Sequence, residues 1–404
     1  MRAALIGKPL GHSYSKIIHE FFGYPYDLCE VDECELPELL RSGRYNGFNV
    51  TIPYKKAVIP LLDEVDPSAL EIGAVNTVNV RNRRLIGYNT DVLGMEYMLK
   101  NAGIELRGKK VMVLGTGGTS LTANAVAKRL GAKEIVTVGR SSAVNYDNCY
   151  QHKDVSVIIN TTPVGMYPNV TGCPIEVERF PALKGVADVI YNPLRTELLQ
   201  RAKTMGVKTA GGLRMLVSQA VYAAEIFTGE SREHLTEEVY RKIRTQACNV
   251  AFIGMPASGK STLARLTAEH YGKTFIDTDL EVERLAGKSI PEIFREDGEA
   301  VFRRIEAEAV RRACGEKNAV IATGGGAVLR EDNRREISRN SVILHVKRDV
   351  EKLSTDGRPL SKSVGALIQM QEQRMPIYCD LADFSVCNDG EIAEAFDKIK
   401  EILG

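Results

Sequence analysis

Short apolar runs alternate with helical stretches through the middle of the chain. Four runs rich in β-branched residues read VMVLG (111–115), EIVTV (134–138), DVSVIIN (154–160) and VADVIY (186–191). Nearly continuous apolar runs are typical of strands buried on both faces of a parallel sheet. The pattern therefore predicts βα units, parallel sheets and the α/β fold class.

A second series of strand signals begins near residue 249. It comprises NVAFIG (249–254), TFIDTD (274–279), AVIATG (319–324) and SVILHV (341–346). Between the two series lies a polar stretch, 231–247, whose apolar residues recur at helical spacing. The restart predicts a new domain after about residue 247, joined to the preceding one by a short or helical linker.

Length and charge narrow the classes of partner. A chain of 404 residues exceeds the usual size of one hydrophobic core, so two or three folding units are expected. Its 53 basic and 52 acidic residues leave no excess of positive charge for binding nucleic acid or an anionic membrane, which favours a small ligand. Without a signal peptide or an apolar run of roughly 20 residues, a cytoplasmic location is expected. The eight cysteines show no zinc-type spacing.

A phosphate-binding loop follows the first strand of the second series. Residues 254–261 read GMPASGKS and match G-x-x-x-x-G-K-[ST] between an apolar strand and a helical stretch. Glycines in such a loop let backbone N–H groups wrap around phosphate, and the helix N-terminus adds positive potential. We expect Lys260 to reach the outer phosphates of a nucleotide and Ser261 to ligate Mg²⁺.

Two carboxylates follow in the next strand signal, TFIDTD. Asp277 and Asp279 are two residues apart, so strand alternation predicts that both lie on one face, beside the phosphate loop. One suits a water molecule bound to Mg²⁺, and the other suits an acceptor hydroxyl. The loop and this pair together predict an ATP-dependent kinase that acts on a small molecule.

Four more motifs complete the C-terminal part, namely FRRIE (302–306), ATGGG (322–326), RPL (358–360) and RMPIY (374–378). Separate arginines placed around Mg·ATP can hold an anionic substrate and the transferring phosphoryl group. The order of all these motifs resembles shikimate kinase from about residue 248 to residue 404. The resemblance implies a P-loop domain over 248–404 that uses ATP and Mg²⁺.

The kinase resemblance also implies roles for individual residues. Asp279 would orient the shikimate 3-hydroxyl, Arg303 and Arg374 would hold the carboxylate, and Gly325 would approach the ring. Mg²⁺ would be held by Ser261 and, through water, by Asp277. The residues implied for ATP are Ala257, Ser258, Gly259, Lys260, Ser261, Thr262 and the lid arginine Arg358.

A glycine turn connects a strand and a helix in the segment from Lys110 to Arg140. Gly115, Gly117 and Gly118 occupy this turn, which is typical of dinucleotide binding. The next strand ends at Arg140, where an NAD site usually presents an acidic residue to the ribose 2′-hydroxyl. Because an arginine suits a 2′-phosphate, the segment predicts NADP; a βα turn that binds no phosphate is the alternative.

Segments rich in small polar residues precede this fold. They are GKPLGHSYSKIIHE (7–20), NGFNVTIPYKK (46–56), EIGAVNTVN (71–79) and YNTD (88–91). Reduction of a ketone by hydride needs a proton donor for the developing alkoxide, and a lysine held by a carboxylate can serve. Lys55 and Asp91 are the candidates, with an ordinary solvated lysine as the alternative.

These segments resemble shikimate dehydrogenase over residues 1 to about 245. They are followed in the same order by GTGGTS (115–120), INTTPVGM (159–166), VIYNPL (189–194) and GGLRMLVSQA (211–220). The resemblance implies a substrate-binding and catalytic domain over 1–95. It also implies an NADP-binding Rossmann domain over 96–247, whose C-terminal helices return to the substrate domain.

The dehydrogenase resemblance assigns Lys55 as the acid–base group, with Asp91 beside it. The residues implied for the substrate are Ser13, Ser15, Thr51, Asn76, Asp91, Tyr191 and Gln219. The residues implied for NADPH are Gly115, Thr116, Gly117, Gly118, Thr119, Arg140, Ser141 and Gly212.

The chain departs from both families at a few positions. Val92 and Arg214 stand where glycines are usual, the latter beside the nicotinamide. Segment 141–153 is short, and Val144 stands where a second basic residue is often found near the 2′-phosphate. The kinase lid is also short and lacks a second arginine before RPL, which leaves Lys352 as a possible substitute.

Taken together, the two halves predict a bifunctional enzyme of the shikimate pathway. NADPH would reduce 3-dehydroshikimate to shikimate, and Mg·ATP would then phosphorylate shikimate at its 3-hydroxyl. Two alternatives keep the folds: a non-catalytic sensor of metabolite and nucleotide, or a quinate-type dehydrogenase joined to another polyol kinase. The sequence does not determine the oligomeric state.

Overall fold

The structure is a computed structural model that describes residues 1–10, 13–353 and 364–404. The chain divides into two compact units, Met1–Ile243 and Arg244–Gly404. Three sheets with helices between their strands confirm the α/β class. Among the described residues, no helix is both long and apolar enough to cross a membrane.

The first unit begins with a six-stranded mixed sheet. Its strands are β1 (Ala3–Gly7), β2 (Tyr26–Glu30), β3 (Gly47–Val50), β4 (Glu64–Val65), β5 (Thr77–Arg81) and β6 (Arg84–Tyr88). They lie in the order β2-β1-β3-β5-β6-β4, and β5 is antiparallel to both of its neighbours. The helices of this part are α1 (Ser15–Phe21), α2 (Leu36–Arg41), α3 (Pro67–Ile72) and α4 (Asp91–Asn101).

A five-stranded parallel sheet follows in the same unit. Its strands are β7 (Lys110–Leu114), β8 (Glu134–Val138), β9 (Val157–Asn160), β10 (Gly185–Asp188) and β11 (Lys208–Gly211). The helices are α5 (Gly118–Arg129), α6 (Glu197–Thr204) and α7 (Leu213–Thr228), followed by α8 (Thr236–Ala247), which continues past the last residue of this unit, Ile243. In the order β11-β10-β9-β7-β8, β7 has β8 on one side and β9 on the other. The carboxyl end of β7 is thus a switch point, where open α/β sheets bind ligands.

Helix α7 returns from the parallel sheet to the mixed sheet. Asn79 in β5 donates a side-chain hydrogen bond to the carbonyl of Ile226 in α7 at 2.9 Å. Against α4 the approach is very close, because a Cβ atom at Gly94 would lie 2.8 Å from the Met215 carbonyl oxygen. Glycine at this position therefore lets α4 and α7 pack together between the two sheets.

The second unit is built on a parallel sheet with the order β13-β14-β12-β15-β16. Its strands are β12 (Asn249–Ile253), β13 (Thr274–Asp277), β14 (Ala319–Ala322), β15 (Ser341–Lys347) and β16 (Phe384–Cys387). The helices are α9 (Lys260–Tyr271), α10 (Thr278–Ala286), α11 (Ile290–Glu296), α12 (Glu299–Gly315), α13 (Glu331–Arg339), α14 (Val364–Leu381) and α15 (Ile392–Leu403). All residues of β12 and β14 are buried, as expected for central parallel strands.

The structure corrects the prediction for TFIDTD. The strand ends at Asp277, and Asp279 lies in the first turn of α10 instead of on the same strand face. The Asp277 side chain accepts a hydrogen bond from the Asp279 backbone N–H at 3.0 Å. Aspartate is among the strongest N-cap residues, so this contact starts a helix where strand alternation would have continued.

Candidate active sites

A cavity of about 500 Å³ lies in the first unit, between the mixed and parallel sheets. Its walls come from the ends of β1 and β3, from α4 and α7, and from the loop after β10. The predicted residues that line it are Ser13, Ser15, Thr51, Lys55, Asn76, Asp91, Thr119, Tyr191, Gly212 and Gln219. The fold thus brings every residue predicted for the dehydrogenase substrate into one cavity.

Lys55 and Asp91 form an ion pair at the wall of this cavity. The Lys55 Nζ atom lies 2.5 Å from Asp91 Oδ2, and the side chains are only 21% and 11% exposed. The amide of Asn76 donates to the other carboxylate oxygen at 2.9 Å, while its own oxygen accepts from the Thr90 N–H at 2.7 Å. Because an ammonium group has three donors, the orientation imposed by Asp91 leaves Lys55 able to donate to a substrate oxygen as well.

Local structure explains how the pair forms. The backbone carbonyl of Lys55, in the turn after β3, accepts a hydrogen bond from the Val75 N–H at 2.8 Å. Asp91 is the first residue of α4, where the helix dipole favours a carboxylate. Two segments that are distant in sequence are thereby held with their charged groups in contact.

Asn49 is a cavity residue that the sequence analysis did not single out. It lies in β3, whose four residues are all buried. Its amide oxygen accepts from the Tyr26 hydroxyl at 2.7 Å, and its amide nitrogen donates to the Thr77 hydroxyl at 3.2 Å. A polar residue within a fully buried strand was the signal that could have identified it.

The turn after β7 fits a dinucleotide. Gly115 has a φ of 108°, and a Cβ atom there would lie 2.7 Å from the Thr161 hydroxyl oxygen. Gly117 is the N-cap of α5 and Gly118 its first residue. Apart from the chain neighbours and the helix's own backbone, no heavy atom of the described residues lies within 4 Å of a Cβ atom added at either glycine. The helix N-terminus is therefore open to an anionic group, as pyrophosphate binding requires.

The other residues predicted to bind the cofactor lie after β8 and at the start of α7. Arg140 and Ser141 are exposed just after β8, and the Thr116 side chain approaches Gly139 in the same region. Gly212 begins α7, where a Cβ atom would lie 2.0 Å from the Val189 carbonyl oxygen. A glycine is required there so that α7 can start at the edge of the cavity.

Arg214 is directed to α8. Its guanidinium group forms an ion pair with Glu237 and lies 4.0 Å from the centre of the Tyr240 ring. Arg214 is not among the residues that line the cavity. The cation at this position therefore supports the packing of α7 on α8.

The loop that carries Tyr191 is anchored by Asp188, a fully buried carboxylate at the end of β10. Asp188 accepts hydrogen bonds from the Asn160 amide at 3.1 Å, the Ile190 N–H at 3.0 Å and the Thr196 hydroxyl at 2.7 Å. Burial outweighs these hydrogen bonds and raises its pKa to about 6.

The raised pKa of Asp188 predicts a pH-dependent stability difference. A carboxyl group with a raised folded pKa contributes stability that is present below its unfolded pKa, near 3.8, and is lost as pH rises through about 6. The amide of Asp188→Asn cannot ionise, so the variant does not lose this stability as pH rises. The difference in melting temperature, variant minus unchanged chain, should therefore be larger at pH 6.5 than at pH 4.5 by at least about 2 °C. Calorimetry at both pH values measures this, and a temperature difference independent of pH would contradict it.

The second unit contains a cavity of about 570 Å³ at the carboxyl edge of its sheet. The predicted residues that line it are Ala257, Gly259, Lys260, Ser261, Thr262, Asp279, Arg303, Gly325 and Arg374. Ser258 is buried below this surface, and its carbonyl accepts a hydrogen bond from the Asn388 amide at 2.8 Å. Arg358 lies outside the described residues.

The phosphate loop has the close backbone approaches that its glycines permit. Gly254 has a φ of 145°, and a Cβ atom there would lie 2.5 Å from the Val346 carbonyl oxygen. At Gly259, with a φ of 94°, a Cβ atom would lie 2.2 Å from the Asn388 amide nitrogen. The Lys260 ammonium group donates to the Met255 carbonyl at 2.8 Å and so lies back over the loop. This geometry fits a nucleotide phosphate.

Oxygen donors suited to Mg²⁺ meet at the start of α9. The Ser261 hydroxyl donates to Asp277 Oδ2 at 2.7 Å. Hydroxyl and carboxylate oxygens are the ligands that Mg²⁺ prefers, so these two residues fit the ion. Asp279 lies on the cavity wall beyond them.

The far wall of the cavity carries two arginines and a buried glutamate. Arg303 donates to Glu306 at 2.8 Å and to Glu299 at 3.1 Å. Burial raises the pKa of Glu306, and the charges of Arg303 and Arg374 oppose that shift. This wall offers guanidinium groups to an anionic substrate.

Successive glycines make room for these groups. A Cβ atom at Gly324 would lie 2.5 Å from Asp279 Oδ1, and one at Gly326 would lie 2.6 Å from Arg303 Nη1. At Gly325 it would lie 2.8 Å from the Pro256 ring. The ATGGG motif therefore allows the carboxylate, the arginine and the phosphate loop to converge.

Two family models match the chain. The shikimate dehydrogenase substrate binding domain matches residues 5–78, and shikimate kinase matches residues 256–403. Each match falls within one of the two units and includes residues of its cavity.

Relatives of known sequence or structure match the first unit. The shikimate dehydrogenase (NADP(+)) of Clostridium perfringens is 36% identical over 263 residues, which cover 59% of this chain and 97% of the relative. Thermus thermophilus shikimate 5-dehydrogenase, solved with NADP(H) and shikimate, has a TM-score of 0.54 at 31% identity, covering 60% of this chain and 98% of that one. A chorismate mutase/shikimate 5-dehydrogenase fusion from Clostridium acetobutylicum has a TM-score of 0.57 at 35% identity, covering 59% and 95%. The chain therefore belongs to the shikimate dehydrogenase family and carries a shikimate kinase domain after the dehydrogenase part.

Proposed function

We propose that this chain catalyses two successive reactions. The first unit reduces 3-dehydroshikimate to shikimate with NADPH, and the second transfers a phosphoryl group from Mg·ATP to the shikimate 3-hydroxyl. The Lys55–Asp91 ion pair, set among all the predicted substrate residues in one cavity, is the observation that carries the first reaction. A phosphate loop that shares a cavity with Asp279, Arg303 and Arg374 supports the second.

In the first reaction, NADPH supplies hydride to the ketone carbon when it is bound. Lys55 donates a proton to the carbonyl oxygen as negative charge develops there, and Asp91 keeps its ammonium group oriented. Ser13 and Ser15, which line the same cavity, contribute hydroxyl groups for the substrate carboxylate. Neutral hydroxyl groups can orient the anion by donating hydrogen bonds to its oxygens.

Cofactor selectivity provides a test at Arg140. A charge-assisted hydrogen bond to the 2′-phosphate contributes about 1.5–3 kcal/mol. Arg140→Ala should therefore lower kcat/KM for NADPH by about 10- to 100-fold and change the value for NADH little. Lys133→Ala, at the other end of β8 and also exposed, is the matched control. An equal decrease in kcat/KM for NADPH and NADH would show that Arg140 does not contact the 2′-phosphate.

In the second reaction, the bond between the γ-phosphorus of ATP and the ADP oxygen breaks as a bond to the shikimate oxygen forms. Asp279 accepts the hydroxyl proton, and Lys260 neutralises charge on the outer phosphates. Arg303 and Arg374 bind the substrate carboxylate through guanidinium forks. Ser261 and, through water, Asp277 would hold Mg²⁺, which would supply further positive charge.

The direct experiment provides the purified chain with 3-dehydroshikimate, NADPH, Mg²⁺ and ATP. We expect NADPH consumption followed by stoichiometric ADP formation, with shikimate 3-phosphate as product. A chain that binds these ligands without turnover would instead be a sensor. Faster turnover of quinate than of shikimate would favour the quinate-type alternative.

We also propose the domain limits 1–95, 96–247 and 248–404, and a cytoplasmic enzyme that acts on small molecules. The division into units at residues 243 and 244 supports a boundary in this helical region. A formal net charge of +1 supports small ligands over nucleic acid or an anionic membrane surface.

A further inference from the structure

The kinase cavity contains an arginine to which the sequence analysis gave no role. Arg348 follows the last residue of β15 and lines the same cavity as Lys260 and Asp279. Its Nε atom is buried and has no hydrogen-bond partner among residues 1–10, 13–353 and 364–404. A buried guanidinium donor is costly unless it is paired. Because the Arg348 side chain is half-buried and lines the cavity, its guanidinium group can take a ligand acceptor.

The strand arrangement brings Arg348 to the phosphate loop. β15 pairs with β12, the strand that leads into the loop, with Ile253 opposite His345. The carbonyl oxygen of Val346 lies 2.5 Å from the position that a Cβ atom would occupy at Gly254. Arg348 comes two residues after this contact, so it leaves the sheet beside the first residue of the loop.

The other candidate cations have different partners. Arg303 is paired with two carboxylates on the substrate wall. Lys352, which the sequence suggested as a substitute for the missing lid arginine, donates to the Asp389 carbonyl at 2.9 Å and does not line the cavity. Arg348 and Arg374 both line this cavity with a buried Nε atom that has no hydrogen-bond partner among the described residues. Arg374 lies in α14 and is assigned to the substrate carboxylate, whereas Arg348 follows β15, the strand paired with β12. The charge of Arg348 also interacts with that of Asp389, and a guanidinium group can serve a carboxylate and a ligand together.

We propose that Arg348 contacts the outer phosphates of bound ATP and supplies positive charge there from the end of β15. The inference rests on the proposed kinase function. A guanidinium fork matches phosphate oxygens, and phosphoryl transfer depends on positive charge around the migrating group. AMP lacks these outer phosphates. Loss of the Arg348 side chain should therefore weaken the binding of ATP much more than the binding of AMP.

The test is equilibrium binding of Mg·AMP-PNP and of AMP to the full chain, by calorimetry, together with kinase turnover. Arg348→Ala should weaken Mg·AMP-PNP binding by about 10- to 100-fold, the range of a charge-assisted hydrogen bond, and AMP binding by less than about twofold. Arg348→Lys should restore part of the loss. Lys347→Ala, an adjacent exposed cation that does not line the cavity, should leave both ligands unaffected.

Several outcomes would overturn the proposal. Equal weakening of AMP and AMP-PNP binding would mean that Arg348 supports the fold, and unchanged AMP-PNP binding would mean that it contacts no phosphate. If Lys352→Ala weakened Mg·AMP-PNP binding and Arg348→Ala did not, Lys352 would be the residue that contacts the outer phosphates. Turnover of shikimate by the unchanged chain tests the kinase function separately, since AMP-PNP binding does not require the correct acceptor.

Discussion

Lys55→Ala should abolish reduction of 3-dehydroshikimate while phosphorylation of shikimate continues. A positioned proton donor typically accelerates a reaction by about 10²–10⁴, and the 2.5 Å contact with Asp91 shows that Lys55 is positioned. We therefore expect kcat for NADPH oxidation to fall by that factor with a much smaller change in KM. Steady-state kinetics on both activities of one preparation provide the measurement.

The neighbouring lysine offers a matched control for this result. Lys56 is exposed, whereas Lys55 lies in the cavity wall, so Lys56→Ala should retain reduction. Asp91→Asn should resemble Lys55→Ala, because it removes the charge that orients the ammonium group. Substantial reduction by Lys55→Ala would show that the proton comes from elsewhere, and an equal loss in Lys56→Ala would indicate a structural effect.

Asp279→Asn should give the opposite pattern, with phosphorylation lost and reduction intact. The carboxylate lines the kinase cavity, where it can accept the proton of the substrate hydroxyl, and an amide cannot. We expect kcat for ADP formation to fall by about 10²–10⁴ while Mg·AMP-PNP binding changes little. A coupled ADP assay and calorimetry measure the two quantities.

The control for Asp279 lies in the same helix. Glu281 forms an ion pair with Arg284 and does not line the cavity, so Glu281→Gln should keep its phosphorylation rate within about twofold. If Asp279→Asn retained the full rate, the acceptor hydroxyl would be activated by another group. If nucleotide binding also disappeared, the substitution would be acting on the phosphate loop.

Elements with a strong local pattern could be predicted from the chain. The run VMVLG coincides with β7 as far as Leu114, since a strand buried on both faces leaves a nearly continuous apolar signature. Gly254 and Gly259 could be assigned to a phosphate loop from the sequence, because positions with close backbone contacts and positive φ angles favour glycine. The glycine turn after β7 was visible for the same reason.

Asp279 and Arg348 show where such patterns become insufficient. An N-cap hydrogen bond from the Asp279 N–H to Asp277 ended a strand that alternation would have extended. Arg348 follows an apolar strand and carries no local feature that separates it from a surface cation. Only the pairing of β15 with β12 places it beside the phosphate loop.

By itself the sequence determined the α/β class, the restart of strands in a second unit, and the motifs that resemble two enzyme families. Tertiary structure decided that Lys55 and Asp91 are in contact, that Arg214 turns to α8, and that Arg348 lines the kinase cavity. The physical reason is the range of each effect. Periodicity, capping and glycine turns depend on neighbours in the chain, whereas pairing between distant charged groups depends on how helices and sheets pack.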